Sequence, residues 1–167
     1  MEVLKPHQVS GLQWLLSREA TENQHKEFHG EPMPRGGILA DEVGLGKTIQ
    51  SVYLMTHNKM KTLIVVPKSL VNQWLEETAK FAPDLNMRYV KGFSDFELEP
   101  NVDTYIVSSS IFNKANVVIG ATPIHNVHWG RLIIDESHSI KNKKSKLHKN
   151  LSYLKTDIRW SLTATPV

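Results

Sequence analysis

The chain has 167 residues, of which 40% are hydrophobic and 22% are charged, as expected for one ordinary folded domain. It contains no cysteine, which excludes disulfides, zinc–thiolate centres and thiol nucleophiles. No apolar run approaches the roughly 18 residues that a membrane span requires, and the N-terminus lacks the pattern of a secretory signal. These features predict an intracellular protein with no membrane partner. The net charge of +3 permits a polyanionic partner without requiring one.

The first part of the chain predicts a helix, a loop and then a strand–turn–helix unit. Apolar residues recur at helical spacing over residues 4–20, where Pro6 suits a first helical turn. Residues 21–36 are polar and contain several glycines and prolines, which is typical of a loop. The short apolar run 37–40 predicts a strand, and a second helix is predicted to begin near Lys47 after a glycine-containing turn.

The rest of the chain alternates strands with helical patterns. The β-branched run Thr62–Val66 predicts a buried parallel strand, and Ser69 is the predicted N-cap of a helix that extends to about Phe81. The inward-facing positions predicted for this helix are Leu70, Trp74, Leu75 and Ala79. Further strands are predicted at 87–90, 105–107, 132–134 and 159–163. No element is predicted for residues 115–130.

This alternation predicts an α/β fold in three layers, with a mostly parallel central sheet flanked by helices. The whole chain, residues 1–167, is expected to form a single domain. Trp74 and Trp160 lie at apolar periodic positions, so we expect both side chains in the core rather than stacked on nucleic-acid bases.

The strongest chemical signal lies in residues 41–48, Asp-Glu-Val-Gly-Leu-Gly-Lys-Thr. Gly46, Lys47 and Thr48 have the pattern of the end of a phosphate-binding loop, placed after a predicted strand and before a predicted helix. Glycines let backbone N–H groups turn toward a polyphosphate, and a helix start adds unpaired N–H groups and a positive dipole end. Lys47 would neutralise the β- and γ-phosphates of ATP, and the Thr48 hydroxyl would bind Mg²⁺.

One position departs from the general phosphate-loop pattern. Asp41 stands six residues before Lys47, where the general pattern has glycine. Gly44 and Gly46 remain candidate nucleotide-binding positions in the loop. The alternative interpretation is a glycine-rich turn that precedes an ordinary helix.

A pair of acidic residues follows the predicted strand 132–134. Parallel strands present their carboxyl ends at the edge of the sheet where α/β folds bind ligands. Asp135 is assigned to the metal and Glu136 to the water that attacks the γ-phosphate, so Lys47, Asp135 and Glu136 are the predicted catalytic residues. The interval of 88 residues from Lys47 to Asp135 (135 minus 47) leaves room for two strand–helix units. For the acidic pair alone, an ordinary solvated turn is the alternative.

Five segments of the chain occur in an order and at a spacing that one family shares. They are the segments 4–15, 38–50, 63–74, 132–142 and 160–166. In that order they resemble the Q motif and motifs I, Ia, II and III of the first RecA-like lobe of SNF2-type ATPases, within helicase superfamily 2. In that family an aspartate also stands at the position of Asp41. The resemblance spans about residues 4–166, nearly the whole chain.

The resemblance implies the ATP-binding lobe of a DNA-dependent ATPase or translocase. Such a lobe binds ATP with Mg²⁺ and couples hydrolysis to movement on double-stranded DNA or to remodelling of protein–DNA complexes, with a role in transcription regulation and a nuclear location. By resemblance, Gln8 would read the adenine edge, supported by Lys5 or His7, while Thr163 and Thr165 would sense the phosphate state. Two alternatives stay open: a nucleotide-gated binding module without turnover, and a helicase that separates strands.

The resemblance also implies a partner lobe. Members of this family have a second RecA-like lobe, which supplies arginines to the site and half of the nucleic-acid track. The chain ends one residue after Pro166, the last residue of the fifth segment. We therefore expect it to be the N-terminal lobe of a longer protein that also contains the second lobe, and we expect the isolated lobe to be nearly inactive.

The remaining departures from the family pattern concern small or polar residues. Ser137 and Ala164 stand where the family usually has alanine and glycine, and both replacements are small. The run Ser108–Ser110 stands in place of a threonine-rich motif, so no nucleic-acid contact is assigned to it. The lysine-rich run 141–149 is interpreted either as a contact to nucleic-acid phosphates or as a solvated basic helix face. The sequence indicates no oligomeric state.

Overall fold

A computed structural model describes residues 6–20, 27–28, 31–32, 35–40, 44–136 and 145–163. The helices in these ranges are α1 (Pro6–Glu19), α2 (Gly44–His57), α3 (Val71–Phe81) and α4 (Lys146–Ser152). The strands are β1 (Glu27–Phe28), β2 (Glu31–Pro32), β3 (Arg35–Ala40), β4 (Thr62–Val66), β5 (Met87–Val90), β6 (Thr104–Ser108), β7 (His128–Glu136) and β8 (Lys155–Thr163). Within the described ranges, no helix combines the length and the apolar character that crossing a membrane requires.

Six of the strands form one all-parallel sheet in the order β3-β8-β7-β4-β6-β5. This arrangement, with helices packed against the sheet, confirms the predicted three-layer α/β fold. The loop predicted over residues 21–36 is wrong in part, since β1 and β2 form a short antiparallel pair there. In addition, β3 begins at Arg35, because the backbone before the apolar run already pairs with β8.

The sheet buries both of its faces. In β4, Ile64 and Val66 pack into a core cluster with α1, α2 and α3, while Leu63 and Val65 pack into a second cluster with α4. Successive residues of a strand point to opposite faces, so a strand covered on both sides is apolar throughout. This explains the uninterrupted β-branched run that predicted the strand.

The helices α2 and α3 begin at other residues than predicted. α2 begins at Gly44, three residues before Lys47, and therefore contains the end of the phosphate-loop motif in its first turns. α3 begins at Val71, after a 3₁₀ turn at Lys68–Leu70, and no side chain caps its first turn. The predicted cap at Ser69 is wrong because the chain makes this extra turn between β4 and the helix.

The side of α3 that faces the core is close to the predicted one. Trp74 is buried and Leu70 and Leu75 pack against the core cluster, as predicted. Ala79 is exposed, contrary to the prediction, because Thr78 takes the buried position instead and donates its hydroxyl to the carbonyl of Trp74. Helix-compatible residues on either side of an amphipathic boundary are hard to separate by sequence alone.

The neighbouring strands β7 and β8 are longer than predicted. Each has nine residues and begins four residues earlier than expected, at His128 instead of Leu132 and at Lys155 instead of Arg159. Their first residues are partly polar and exposed, and His128 Nε2 lies 2.7 Å from a carboxylate oxygen of Asp157. Buried residues such as Trp129 and Ile158 alternate there with polar ones, so an uninterrupted apolar run detects only the second half of each strand. Just before β7, residues 123–126 form a 3₁₀ turn within the segment left unassigned.

Gly36 in β3 holds a backbone conformation that suits glycine alone. Its φ is +101°, and a Cβ there would lie 2.0 Å from the carbonyl oxygen of Arg159 in the paired strand β8. We expect Gly36→Ala to lower the free energy of unfolding by at least about 2 kcal/mol, since both strain and a backbone clash oppose the methyl group. Urea denaturation measures this change. Gly92→Ala is the matched control, because no atom lies within 4 Å of a Cβ at Gly92, and an equal effect in both variants would contradict the expectation.

A buried ion pair ties α1 to the sheet. Arg131 of β7 and Glu19 of α1 have no solvent-exposed side-chain surface, and their two shortest N–O distances are 2.6 and 2.7 Å. The guanidinium also donates to the Thr62 hydroxyl and to the carbonyl of Asn58. The carboxylate accepts further hydrogen bonds from the Asn58 amide and from the Trp160 indole. Every charged atom of the pair is thus satisfied, as a buried ion pair requires.

Candidate active site

The first turns of α2 bring the predicted phosphate-binding residues to the sheet. Lys47 and Thr48 are each 4% exposed, and the carbonyl of Lys47 accepts a hydrogen bond of 2.8 Å from the Ser51 hydroxyl. α2 has 14 residues, so its first turn carries unpaired N–H groups and the positive end of a helix dipole. Gly44 and Gly46 lie in this same turn. The helix start therefore offers an anion a backbone without side chains at two positions.

Asp135 approaches this helix from the end of β7. It is two residues after Ile133, which packs on the side of the sheet covered by α1, α2 and α3, so Asp135 belongs to that side. Its exposure is 8%, and the indole N–H of Trp74 donates to its Oδ2 at 2.8 Å. The structure thus brings the predicted metal carboxylate to the face where α2 lies.

The electrostatics of Asp135 connect it to Lys47. Burial raises the pKa of the Asp135 carboxyl, whereas the hydrogen bond from Trp74 and the positive charge of Lys47 lower it. The charge of Lys47 therefore acts on a carboxylate that is 88 residues away in the sequence (135 minus 47). Burial penalises an isolated negative charge, so the carboxylate is better stabilised when a cation lies beside it.

The donor set of this site fits a magnesium ion. Thr48 and Asp135 would supply a hydroxyl and a carboxylate, and Mg²⁺ prefers oxygen ligands. An ionised carboxylate has about four lone-pair sites, so the hydrogen bond at Oδ2 leaves capacity for a metal. Among the described residues, no group of three or more His, Cys, Asp or Glu side chains gathers as a metal cage. Magnesium in nucleotide sites is held by one or two protein ligands together with phosphate oxygens, which this arrangement allows.

The other predicted site residues are described only in part. Glu136 is the last residue of β7 and pairs with Thr163 of β8, and the side chains of both lie outside the described residues. Gln8 lies in the first turn of α1, and its side chain is likewise not described. Asp41 lies outside the described residues altogether, as do positions 137–144 and 164–167.

The helix that carries Gln8 packs closely on the helix that carries Lys47. A Cβ at Gly11 of α1 would lie 2.3 Å from the side-chain nitrogen of Gln50 in α2, which is itself buried. The missing side chain at Gly11 lets the two helices approach at this point. This contact was not predicted, and the signal in the sequence that indicates it is the glycine inside a helical pattern.

Trp74 contacts a predicted site residue in a way that its sequence pattern does not indicate. Its predicted core position is confirmed, since it is 1% exposed. Its hydrogen bond to Asp135 was not predicted, because the two residues are 61 positions apart. The available signal was general: the N–H of a buried tryptophan usually finds an acceptor.

The structure shows hydrogen bonds within the fold for parts of two polar segments, the serine run 108–110 and the lysine-rich run 141–149. The Ser108 hydroxyl accepts a hydrogen bond from the backbone N–H of Ser110 and so caps a 3₁₀ turn after β6. In the lysine-rich run, Lys146 donates to the carbonyls of Lys114 and Ala115. Lys146 is therefore bonded within the fold, which neither interpretation of the run predicted, and residues 141–144 lie outside the described ranges.

Comparisons with known proteins agree on one family. The model of the SNF2-related domain matches residues 7–167. The chain is 33% identical over 174 residues to a "probable global transactivator" of Orgyia pseudotsugata multicapsid polyhedrosis virus, covering 98% of this chain and 32% of the relative. It is also 33% identical over 178 residues to the ISWI chromatin-remodeling complex ATPase ISW1 of Saccharomyces cerevisiae, covering 98% of this chain and 14% of the relative.

The fold is similar to that of a solved SNF2 structure. The Sulfolobus solfataricus SWI2/SNF2 ATPase core, solved in complex with dsDNA, superposes with a TM-score of 0.78 at 28% identity, over 99% of this chain and 32% of that one. The chain spans about a third of the length of the viral relative and of the archaeal core, and about a seventh of the yeast ATPase. By its sequence and its fold, this chain belongs to the SNF2-related domain family and corresponds to the first RecA-like lobe of an SNF2-type ATPase.

Proposed function

We propose that the chain binds ATP with Mg²⁺ and forms one half of a DNA-dependent ATPase. The observation that carries this proposal is the pair of buried, oppositely charged residues at the start of α2 and the end of β7, Lys47 and Asp135. A buried lysine at a helix start is suited to a polyphosphate, and a buried carboxylate within reach of its charge is suited to the accompanying metal. The membership of the SNF2 family is consistent with this chemistry.

Each residue of the site has a distinct role in this proposal. Lys47 and the N–H groups of the turn containing Gly44 and Gly46 bind the phosphates, while Thr48 and Asp135 hold the metal. Bound Mg²⁺ supplies positive charge that polarises the phosphate oxygens. Outside this core of the site, Glu136 accepts a hydrogen bond from the attacking water and orients it, Gln8 binds the adenine edge, and Asp41 belongs to the nucleotide-binding loop.

The nucleic-acid partner proposed for this lobe is double-stranded DNA. The similar archaeal ATPase core was solved in complex with dsDNA, and a yeast relative is a chromatin-remodeling complex ATPase. In this proposal a second RecA-like lobe of the same protein closes over the site and supplies arginines, so that cycles of closure move the protein along duplex DNA or remodel protein–DNA complexes. A role in transcription regulation and a nuclear location follow from the same proposal.

The proposed function is tested on the protein that contains both lobes. We expect duplex DNA to stimulate its ATP hydrolysis and the protein to displace the third strand of a triplex without separating the two strands of a duplex. A missing arginine from the partner lobe costs on the order of 10³–10⁵ in rate, so the isolated lobe should hydrolyse ATP very slowly. Unwinding of the duplex would instead support a strand-separating helicase, and a rate indifferent to DNA would contradict the proposal.

A further inference from the structure

Trp74 lies between the helix α3 and the carboxylate at the end of β7. Its side chain is 1% exposed, and its Nε1 donates a hydrogen bond of 2.8 Å to Oδ2 of Asp135. The residue belongs to the core cluster that α1, α2 and α3 form on one face of the sheet. Within the part of the chain that the structure describes, Trp74 is the side chain that donates a hydrogen bond directly to Asp135, the predicted metal carboxylate.

The indole is well held in this position. It is 1% exposed and packed within the core cluster. A tryptophan side chain has only two rotatable angles, and a close-packed core allows few alternatives for either. The N–H group is therefore a fixed donor. A carboxylate that accepts from a fixed donor is restricted in its own rotation.

The geometry points to Trp74 as a positioning residue for Asp135. It orients the carboxylate through Oδ2, so that the remaining lone pairs can bind the magnesium ion of a bound nucleotide. Partners of metal ligands act in this way in many sites, and their loss typically costs about 10- to 100-fold in metal affinity or activity. This inference rests on the proposed function, since it requires Asp135 to be a ligand of that ion.

Because Trp74 belongs to α3, the hydrogen bond also makes the carboxylate sensitive to the placement of that helix. α3 follows β4 after the 3₁₀ turn Lys68–Leu70 and packs against α2, which carries Lys47. A shift of α3 relative to the sheet would move the donor while leaving β7 in place. The metal ligand and the helix are thus connected by one directional contact.

The test compares Trp74→Phe with Trp129→Phe. Phenylalanine keeps an aromatic ring at position 74 and removes the N–H donor. The control removes an equally buried indole, whose Nε1 donates to the carbonyl of Ile124 at 3.1 Å on the opposite face of the sheet. Affinity for ADP is measured by calorimetry, once in magnesium and once in EDTA, for wild type and both variants.

In wild type, magnesium is expected to strengthen ADP binding. The gain is the ratio of the ADP affinity in magnesium to the ADP affinity in EDTA. In Trp74→Phe, we expect this ratio to fall by about 10-fold or more, while the ADP affinity in EDTA changes by less than about twofold. In Trp129→Phe the gain should equal that of wild type. A purely structural role of Trp74 would change both affinities together, and that result, like an unchanged gain in Trp74→Phe, would overturn the inference.

A second readout does not depend on the variant folding. The chain has four tryptophans, so its ¹H–¹⁵N spectrum should contain four indole N–H signals. We expect the Trp74 signal, assigned by through-bond experiments, to shift when magnesium and ADP are added together and to stay in place with ADP in EDTA. An unmoved signal under both conditions overturns the inference. If wild type shows no magnesium-dependent binding at all, the proposed function itself has failed.

Discussion

Replacing Glu136 with glutamine is expected to slow single-turnover ATP hydrolysis by about 10²–10⁴-fold while nucleotide affinity changes little. Glu136 is the last residue of β7, next to the buried Asp135. In the proposed mechanism its carboxylate orients the attacking water, and the amide of glutamine has nearly the same shape but is a far weaker base. Binding should persist because the phosphates are held by Lys47 and by the start of α2, which the substitution does not touch.

The measurement is a single-turnover assay on the protein that contains both lobes, with duplex DNA present. Calorimetry with ATP and magnesium establishes that binding is retained. Glu97→Gln is the matched control, since Glu97 is exposed and lies outside the site, and its rate should equal that of wild type. Equal rates in Glu136→Gln and wild type would favour a nucleotide-gated binding module that does not turn over.

Replacing Arg131 with methionine should lower the free energy of unfolding by about 3–5 kcal/mol. The substitution removes the guanidinium from the buried Glu19 carboxylate. The carboxylate keeps its hydrogen bonds from the Asn58 amide and the Trp160 indole, but it loses the ionic interaction that offsets much of its desolvation cost. The hydrogen bonds of the guanidinium to Thr62 and to the carbonyl of Asn58 are lost at the same time. The network lies where α1 and the end of α2 meet β4 and β7, so its loss loosens several elements together.

An exposed ion pair provides the control for this prediction. Arg88 Nη2 lies 2.6 Å from Glu99 Oε2, and the two side chains are 55% and 42% exposed. Arg88→Met should cost less than about 1 kcal/mol, because water screens the exposed pair. Urea denaturation of both variants measures the difference. If Arg131→Met proves no more costly than Arg88→Met, the buried network does not have the energetic role described.

Local patterns in the sequence predicted the sheet, and they also gave the candidate residues at its edge. The β-branched run of β4 and the apolar residues before Asp135 identify buried strands, because a strand covered on both faces must be apolar throughout. Lys47 and Thr48 were candidates for the phosphate site because a phosphate-binding turn needs neighbouring residues in a fixed order. Such signals are contained within a few consecutive residues, and the sequence displays them directly.

Contacts between distant polar residues were not predictable in this way. Glu19 and Arg131 are 112 residues apart, and each alone resembles an ordinary exposed charge. The N–H of Trp74 meets Asp135 only because α3 folds back over the sheet, and no periodic pattern encodes that meeting. The cap predicted at Ser69 failed for a related reason, since a local preference gave way to the 3₁₀ turn that connects β4 to α3.

The most direct test of the phosphate site is a calorimetric titration of the chain with ATP and magnesium, comparing wild type with Lys47→Ala. Lys47 is buried at the start of α2, so removing its ammonium group should weaken binding on the order of 100-fold, whereas removing the exposed Lys59 in Lys59→Ala should leave it unchanged. The same affinity in Lys47→Ala and wild type would contradict the account, because the phosphates would then be bound elsewhere.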